Sequence, residues 1–465
     1  MKFTNGYATC CVCSPSRASI LTGQYPARLH LTDYIPGWSP KNPRFRIPAW
    51  TQHLDPSTGT IAQALRQAGY RTASIGKWHL GGNPVTTDAG EGKEFAPEKQ
   101  GFDVNIAGGP LGQPPDYFFP YRRKLPDGRV IRLTKLPGGR AGEYLTDRLT
   151  DEAEKFIERN RDRPFFLYLA HYAVHTAMGA RLQARAKTIA RYKSKRDPRG
   201  VQKNPVYAAM VESMDESVGR VVRKLADLKL AGRTLVIFTS DNGGYRAATS
   251  NAPLRGSKST PYEGGIRVPL LISWPGVVKL GSVCDTAVTG ADFYPTLLEA
   301  AGVKPKADHL VDGESLIPLL TQKGGLHRNA VYWHYPHYSE GTTPYGAVRR
   351  GDYRLIEFYE TGRLELYNLK KDLGEKTDLA GKMPAKAKEL RKLLADWRKR
   401  VKAQMPTPNP HYQNRKGKRA CLIPRKNTAC SSTSAGPLNP LLTCVPFSTG
   451  QPRNSTRQPA VPGSG

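Results

Sequence analysis

Cys13 heads the run CSPSR, residues 13 to 17, and the small and apolar residues ASILTG follow at once. Pro15 fixes φ and Ser16 favours a turn or a helix cap, so the residues around Cys13 are held in a bend ahead of a helix. Arg17 adds a permanent cation, which makes the turn a candidate seat for a cysteine-derived nucleophile. Cys11 to Arg17 also has the Cx5R spacing of cysteine-dependent phosphatases, although this loop lacks glycine and continues into Ala18. Four more polar clusters follow. In GKWHLGG, residues 76 to 82, a strand would project Lys77 and His79 to one side, a cation and an imidazole facing one anion; an exposed lysine and a packed histidine are the plainer alternative. In HYAVHTA, His171 and His175 are spaced HxxxH but lack the glutamate of HExxH, so zinc is not expected. In SDNGG, Asp241 and Asn242 offer two oxygens suited to a hard cation such as Ca²⁺, or simply an Asx turn. In LRGSKSTPYEGGIRVP, Arg255 and Lys258 sit in a glycine-rich loop, which could equally be a solvated one.

Alternating strand-like and helical segments position these clusters, as in an α/β layered domain whose ligands gather at strand ends. Helical spacing runs over 61 to 70 and 145 to 163, and strands follow in RTASIGKWHL and PFFLYLAHYA. The run FFLYLA is continuous enough for a strand buried on both faces. A helix over 208 to 232 places Met210, Met214, Val218, Val221, Val222 and Leu225 on one core-facing stripe, ahead of the strand TLVIF. Another strand is expected in 266 to 276 and another helix in 291 to 302. Past residue 325 three or four short strands and one helix predict a small antiparallel α+β subdomain, residues 326 to 405. From 406 to 465 Pro, Ser, Thr, Asn and Gly dominate, and a disordered tail is expected.

The chain has 465 residues with 70 Lys+Arg against 39 Asp+Glu, a formal charge of +31 that favours anionic partners such as sulfated glycans, nucleic acid or acidic surfaces. Part of that charge lies in the tail, and one dense patch runs from Arg181 to Lys203. No RNA-binding signature or zinc-finger spacing accompanies it, so nucleic acid is not an expected partner. No stretch is long and apolar enough to span a bilayer, and the N-terminus has no signal-peptide run. Seven cysteines without regular spacing make no disulfide framework.

Taken together, CSPSRASILTG, GKWHLG, the strand ending in His175, SDNGG, LRGSKSTPYEGGIRVP and DFYPTLLEAAG resemble, in order and approximate spacing, the type I sulfatases. GDYRLIEFYETGRLELYNLKKDLGE resembles that family's C-terminal subdomain, so the likeness covers roughly residues 1 to 405. It implies an alkaline-phosphatase-like sandwich, with a mixed central sheet between helices in residues 1 to 325. It also implies that a separate formylglycine-generating enzyme oxidises Cys13 of CxPxR to formylglycine. One hydroxyl of the hydrated aldehyde would attack the sulfur of a sulfate ester, of an aryl compound or a sugar, and the other would then eliminate sulfate. Asp241, Asn242 and the group made from Cys13 would bind one divalent cation, Ca²⁺ by resemblance. Arg17 and Lys77 would hold the hydrated group, His79 would take the proton in the elimination, and His175 and Lys258 would bind sulfate and protonate the leaving alcohol.

Family members begin with an apolar strand ending in two aspartates, whereas only twelve residues precede Cys13 and none is acidic. The expectation is an N-terminally truncated sulfatase whose complete form is periplasmic or extracellular, and which as written binds metal weakly and turns over poorly. A noncatalytic binder of anionic glycans and a phosphodiesterase or phosphonate hydrolase on the same fold are the alternatives. Specificity is expected from loops at Thr32 to His53 and Pro110 to Arg140, and from the surroundings of His334 and His337.

Overall fold

The FFLYLA run forms the strand Phe165–Ala170, parallel to Arg71–Gly76, which pairs on its other side with Val104–Ile106. This computed structural model describes residues 1–82 and 93–413. Side chains alternate across the sheet as the pleat requires. Phe165, Leu167 and Leu169 face the helices Leu145–Arg159 and Pro205–Asp227, while Phe166 and Tyr168 face Leu21, Trp78 and Phe102 on the opposite side. A second, mixed sheet has the order Val283–Cys284, Lys2–Phe3, Leu270–Ser273, Val236–Thr239. The helix Phe293–Ala300 packs beside it through Phe293.

Two expectations about burial change. Of the FFLYLA strand only Ala170 is fully buried, because Phe165–Ala170 and Val236–Thr239 are edge strands, each with one partner among the described residues. On the long helix, Met210 and Leu225 are buried, Met214, Val218 and Val221 are half-buried, and Val222 is 46% exposed. The buried line runs instead through Ala209, Ser213 and Ser217, spaced by four, with Ser217 accepting from Thr150 Oγ1 at 2.6 Å. Asn204 caps the helix by accepting from the N–H groups of Val206 and Tyr207.

Residues 330 to 368 fold as an antiparallel meander, Ala330–Tyr335, Tyr345–Arg350, Tyr353–Phe358 and Arg363–Asn368. The helix Pro384–Arg400 covers one face through Leu390, Leu394 and Trp397. The other face, with Trp333, Tyr335, Tyr345 and Ile356, packs on Tyr7, Cys10, Cys11 and Val12. This sheet therefore buttresses the segment that leads into Cys13, and Trp333 Nε1 donates to the Ala8 carbonyl at 2.9 Å. Met1–Gln413 forms one compact unit. Within the segment read as tail, Thr407–Pro408 is a short strand paired with Phe45–Arg46; residues 414 to 465 of that expectation lie outside the described residues. No helix among the described residues is long and apolar enough to cross a membrane.

Candidate active site

The helix that carries Cys13 begins at that residue itself, Cys13–Thr22, rather than after the CSPSR turn. Pro15 falls within the first turn, where its missing N–H costs no helical bond. Val12 is the extended N-cap residue and supplies no side-chain cap; Ser16 closes the turn instead, its Oγ accepting from Cys10 N at 3.1 Å and lying 3.2 Å from the Val12 carbonyl. The Cys13 side chain is thus placed at the positive end of a helix. Cys10, Cys11 and Cys13 are all buried free thiols.

Arg17, one turn further, donates from Nε to Asp241 Oδ2 at 2.8 Å and from Nη1 to the Lys77 carbonyl at 2.7 Å. Lys77 Nζ lies 4.0 Å from the same Asp241 oxygen. Lys77 and His79 do not lie on a strand as expected. Gly76, at φ 103°, ends the strand, and His79 itself has φ 60°. They converge all the same, because Lys77 N donates to the Ala170 carbonyl and His79 N to the Gly109 carbonyl. His79 Nε2 donates to the Ile35 carbonyl at 2.7 Å, which leaves Nδ1 as a buried lone pair beside Cys13.

On the opposite wall Lys258 Nζ donates to His175 Nε2 at 3.1 Å, and His175 Nδ1 donates to the Thr176 carbonyl at 2.9 Å. The Lys258 loop is tied to the site by Lys258 N donating to Gly244 O and Ser259 N to Cys11 O. Asp241 and Asn242 follow the strand Val236–Thr239, and Asn242 Oδ1 is buried without a hydrogen-bond partner.

These neighbours reset the titrations. Burial raises the Cys13 thiol, but Lys258, Lys77 and His79 more than reverse this and hold it well below its ordinary value. Burial likewise works against ionised Asp241, and Arg17, Lys77 and Lys258 overcome it, keeping the carboxylate charged. Burial draws the Lys77 ammonium down to about 8. His175 is pushed well below the usual range by burial, then by Lys258 and Lys77. The arrangement gathers the cations Lys77, Lys258 and Arg17 and two neutral imidazoles about the buried Cys13 and Asp241, chemistry suited to an anion.

Some residues singled out in the sequence go elsewhere. His171 is half-buried against Ser217, 3.0 Å from its Oγ, away from these contacts. Arg255 lies over the Tyr262 ring, 3.8 Å from its centroid, and donates to Tyr367 Oη. His334 and His337 are 4% and 0% exposed, so neither is available to a substrate: His334 bridges Tyr359 Oη and the Gln404 carbonyl, and His337 pairs with Thr32. Three contributors had no sequence signal. Tyr168 lies 3.4 Å from Arg17 Nη1. Asp33 is buried next to the site, accepts from Tyr335 Oη at 2.7 Å, and is raised by burial to about 7. Gly112 leaves so little room that a Cβ there would stand 2.5 Å from His79 Nε2.

Residues 1–303 match the protein family described as Sulfatase. The chain belongs to the sulfatase family. Its class is therefore that of the sulfuric ester hydrolases. Residues 257–403 also match the family described as N-sulphoglucosamine sulphohydrolase, C-terminal. A sulfatase from Formosa agariphila is 34% identical over 427 residues, which are 80% of this chain and 76% of that protein. Steryl-sulfatase of Rattus norvegicus is 31% identical over 404 residues, 72% of this chain and 66% of that one. The crystal structure of Ps i-CgsB in complex with k-i-k-neocarrahexaose superposes with TM-score 0.68 at 26% identity, over 85% of this chain and 84% of that one. This sulfatase thus has the alkaline-phosphatase-like fold, with an antiparallel C-terminal sheet.

Members of the family generally use formylglycine and a divalent cation. The orphaned Asn242 Oδ1 and the adjacent Asp241 carboxylate are oxygen donors of the right kind for a hard cation. They are two where such an ion takes about six to eight. Among the described residues no group of three or more His, Cys, Asp or Glu could hold a metal. The donors fit one side of a coordination shell and no more.

Proposed function

We propose that this sulfatase cleaves the sulfate ester of a sulfated carbohydrate after a formylglycine-generating maturase has converted Cys13. Formylglycine, once formed, supplies as its hydrate one hydroxyl to attack sulfur and a second that lets the sulfate leave. The observation that supports this most is the convergence of Lys258, Lys77 and His79 on a buried Cys13 at a helix N-terminus.

In this reading Arg17 and Lys77 orient the oxygens on the Cys13 carbon, and Asp241, held ionised by Arg17, accepts hydrogen bonds from the attacking hydroxyl. Lys258, positioned by His175 Nε2, binds the sulfate oxygens and donates a proton to the departing alcohol. The His79 lone pair at Nδ1 takes the hydroxyl proton as sulfate is released. Asp241 and Asn242 are the proposed Ca²⁺ ligands, together with an oxygen of the modified Cys13 side chain; the ion would withdraw charge from the sulfate group. Because sulfated polysaccharides lie outside the cytoplasm, a periplasmic or extracellular location is proposed.

The test is turnover of a chromogenic aryl sulfate by chain co-expressed with a maturase, beside the matching phosphate monoester, phosphate diester and phosphonate. Preference for sulfate, lost on Cys13→Ala, is expected. Preference for a phosphorus ester would favour the hydrolase alternative, and binding of sulfated sugar without turnover would favour the noncatalytic one.

A further inference from the structure

The basic segment from Arg181 to Lys203 holds a single acid, Asp197. That carboxylate folds the segment. Its Oδ1 accepts from Arg199 N at 3.1 Å, and its Oδ2 accepts from Val201 N and Gln202 N at 3.0 and 2.9 Å. Gln202 then anchors the turn: its Oε1 accepts from Thr249 Oγ1 at 2.8 Å and its Nε2 donates to the Ser250 carbonyl at 2.8 Å. One residue on, Asn251 pairs in both directions with Gly244, whose carbonyl accepts from Lys258 N. The other end is rooted just as closely, since Ala177 N donates to Arg181 O two residues after His175. The segment is therefore tied at both ends to the wall of the site that carries His175 and Lys258.

Its cations divide into two groups. Arg181, Arg185, Arg191 and Arg199 are matched by Asp116, Asp147, Glu212 and Asp197. Lys187, Lys193, Lys195, Arg196 and Lys203 are exposed and, among the described residues, have no acidic partner within an ion-pair distance, and the last four lie at and beside the Asp197 turn. Runs of like charge are ordinarily solvated and mobile. This one is held in a fixed turn, and Arg246 on the loop after Asn242 extends the same sign of charge. A polymer with one sulfate at Cys13 carries further sulfates along its length, and each gains from a fixed cation beside the catalytic rim.

We infer that Lys193, Lys195, Arg196 and Lys203 form a docking strip for a sulfated polysaccharide chain whose reacting sulfate lies at Cys13. This rests on the sulfated-carbohydrate reading of the site. Dextran sulfate is the probe, used both as an inhibitor of aryl-sulfate turnover and immobilised on a resin. In the full chain, Lys195→Gln/Arg196→Gln/Lys203→Gln should raise the half-inhibitory concentration about ten-fold, as expected for several exposed pairs. It should also elute at lower salt, with kcat and KM for the small aryl sulfate unchanged. The triple variant Lys388→Gln/Lys392→Gln/Lys399→Gln, on the terminal-sheet helix, removes equal charge and should change neither.

Inhibition and elution that stay at the parent values, or that shift equally in the control, would overturn the strip. Retention on immobilised duplex DNA as strong as on dextran sulfate, and lost through the same three residues, would overturn its assignment to a glycan. If the parent turns over no aryl sulfate, the functional reading fails, while resin elution still reads the strip.

Discussion

Lys258 Nζ lies 3.1 Å from His175 Nε2 although 83 positions separate them in the chain, and this contact fixes which imidazole nitrogen carries the proton. With Nδ1–H committed to the Thr176 carbonyl, Nε2 is left as an acceptor, and the Lys258 ammonium fills it. The two side chains form one unit, so Lys258→Ala and His175→Ala should each lower kcat on an aryl sulfate about 100-fold. The double variant should be little worse than either single one. Multiplicative losses in steady-state kinetics would show that they act independently.

Gly112 provides a second kinetic prediction. A methyl group there would meet the His79 ring at 2.5 Å, so Gly112→Ala must displace the imidazole or its own loop. A shift on the order of 1 Å can cost about 100-fold in rate. The variant should lose kcat with KM nearly constant and a native circular dichroism spectrum; unchanged kcat would mean that the loop yields instead of His79.

Acid should unfold the protein through its buried histidines. Burial lowers His171 and His334 to about 4 and His337 to about 3. Their folded values lie below the unfolded value of about 6.5, so the folded state binds fewer protons between those limits. Stability is complete above about pH 6.5 and falls as pH drops towards 4, by about 1 to 2 kcal/mol per histidine at pH 5. His334 is the clearest case, with Nε2 donating to Gln404 O and Nδ1 accepting from Tyr359. Urea midpoints at pH 7.5 and 5 should differ less in His334→Gln than in the parent; an equal difference would exclude His334 as a source of the acid sensitivity.

Arg354 joins the segment after the Lys258 loop to the terminal sheet. It is completely buried, donates to Glu375 Oε1 at 2.6 Å, and lies 3.8 Å from Glu263 Oε1. Arg354→Leu would leave Glu375 buried without its cation and Glu263 with Arg267 alone, a loss of about 3–5 kcal/mol. Chemical denaturation should show this as a fall in midpoint; a change below about 1 kcal/mol would mean that Glu375 protonates at little cost.

The strands and helices were legible in the sequence wherever an apolar run or a 3.6-residue period was long, as in Phe165–Ala170, Leu145–Arg159 and the terminal meander. Depth of burial was not legible. Whether Phe165 to Leu169 are enclosed depends on which strands flank them, and a strand's own residues do not state that. The site divides in the same way. Cys13 to Arg17 and Asp241 with Asn242 are contiguous and carry their chemistry in their types, whereas Asp33 and Gly112 matter only through what the fold lays against them. Lys77 and His79 were singled out for the right residue types on the wrong backbone, because Gly76 ends the strand before they begin. His334 and His337 had suitable chemistry and became interior hydrogen-bonding groups.

The central claim is that Cys13 is the precursor of the catalytic group, and mass analysis of the peptide that contains it tests this most directly. In chain co-expressed with a maturase, position 13 should carry an aldehyde that reacts with a hydrazide probe, and aryl-sulfate turnover should rise in proportion to the converted fraction. Turnover by chain whose Cys13 remains a thiol, or by Cys13→Ala, would contradict the account.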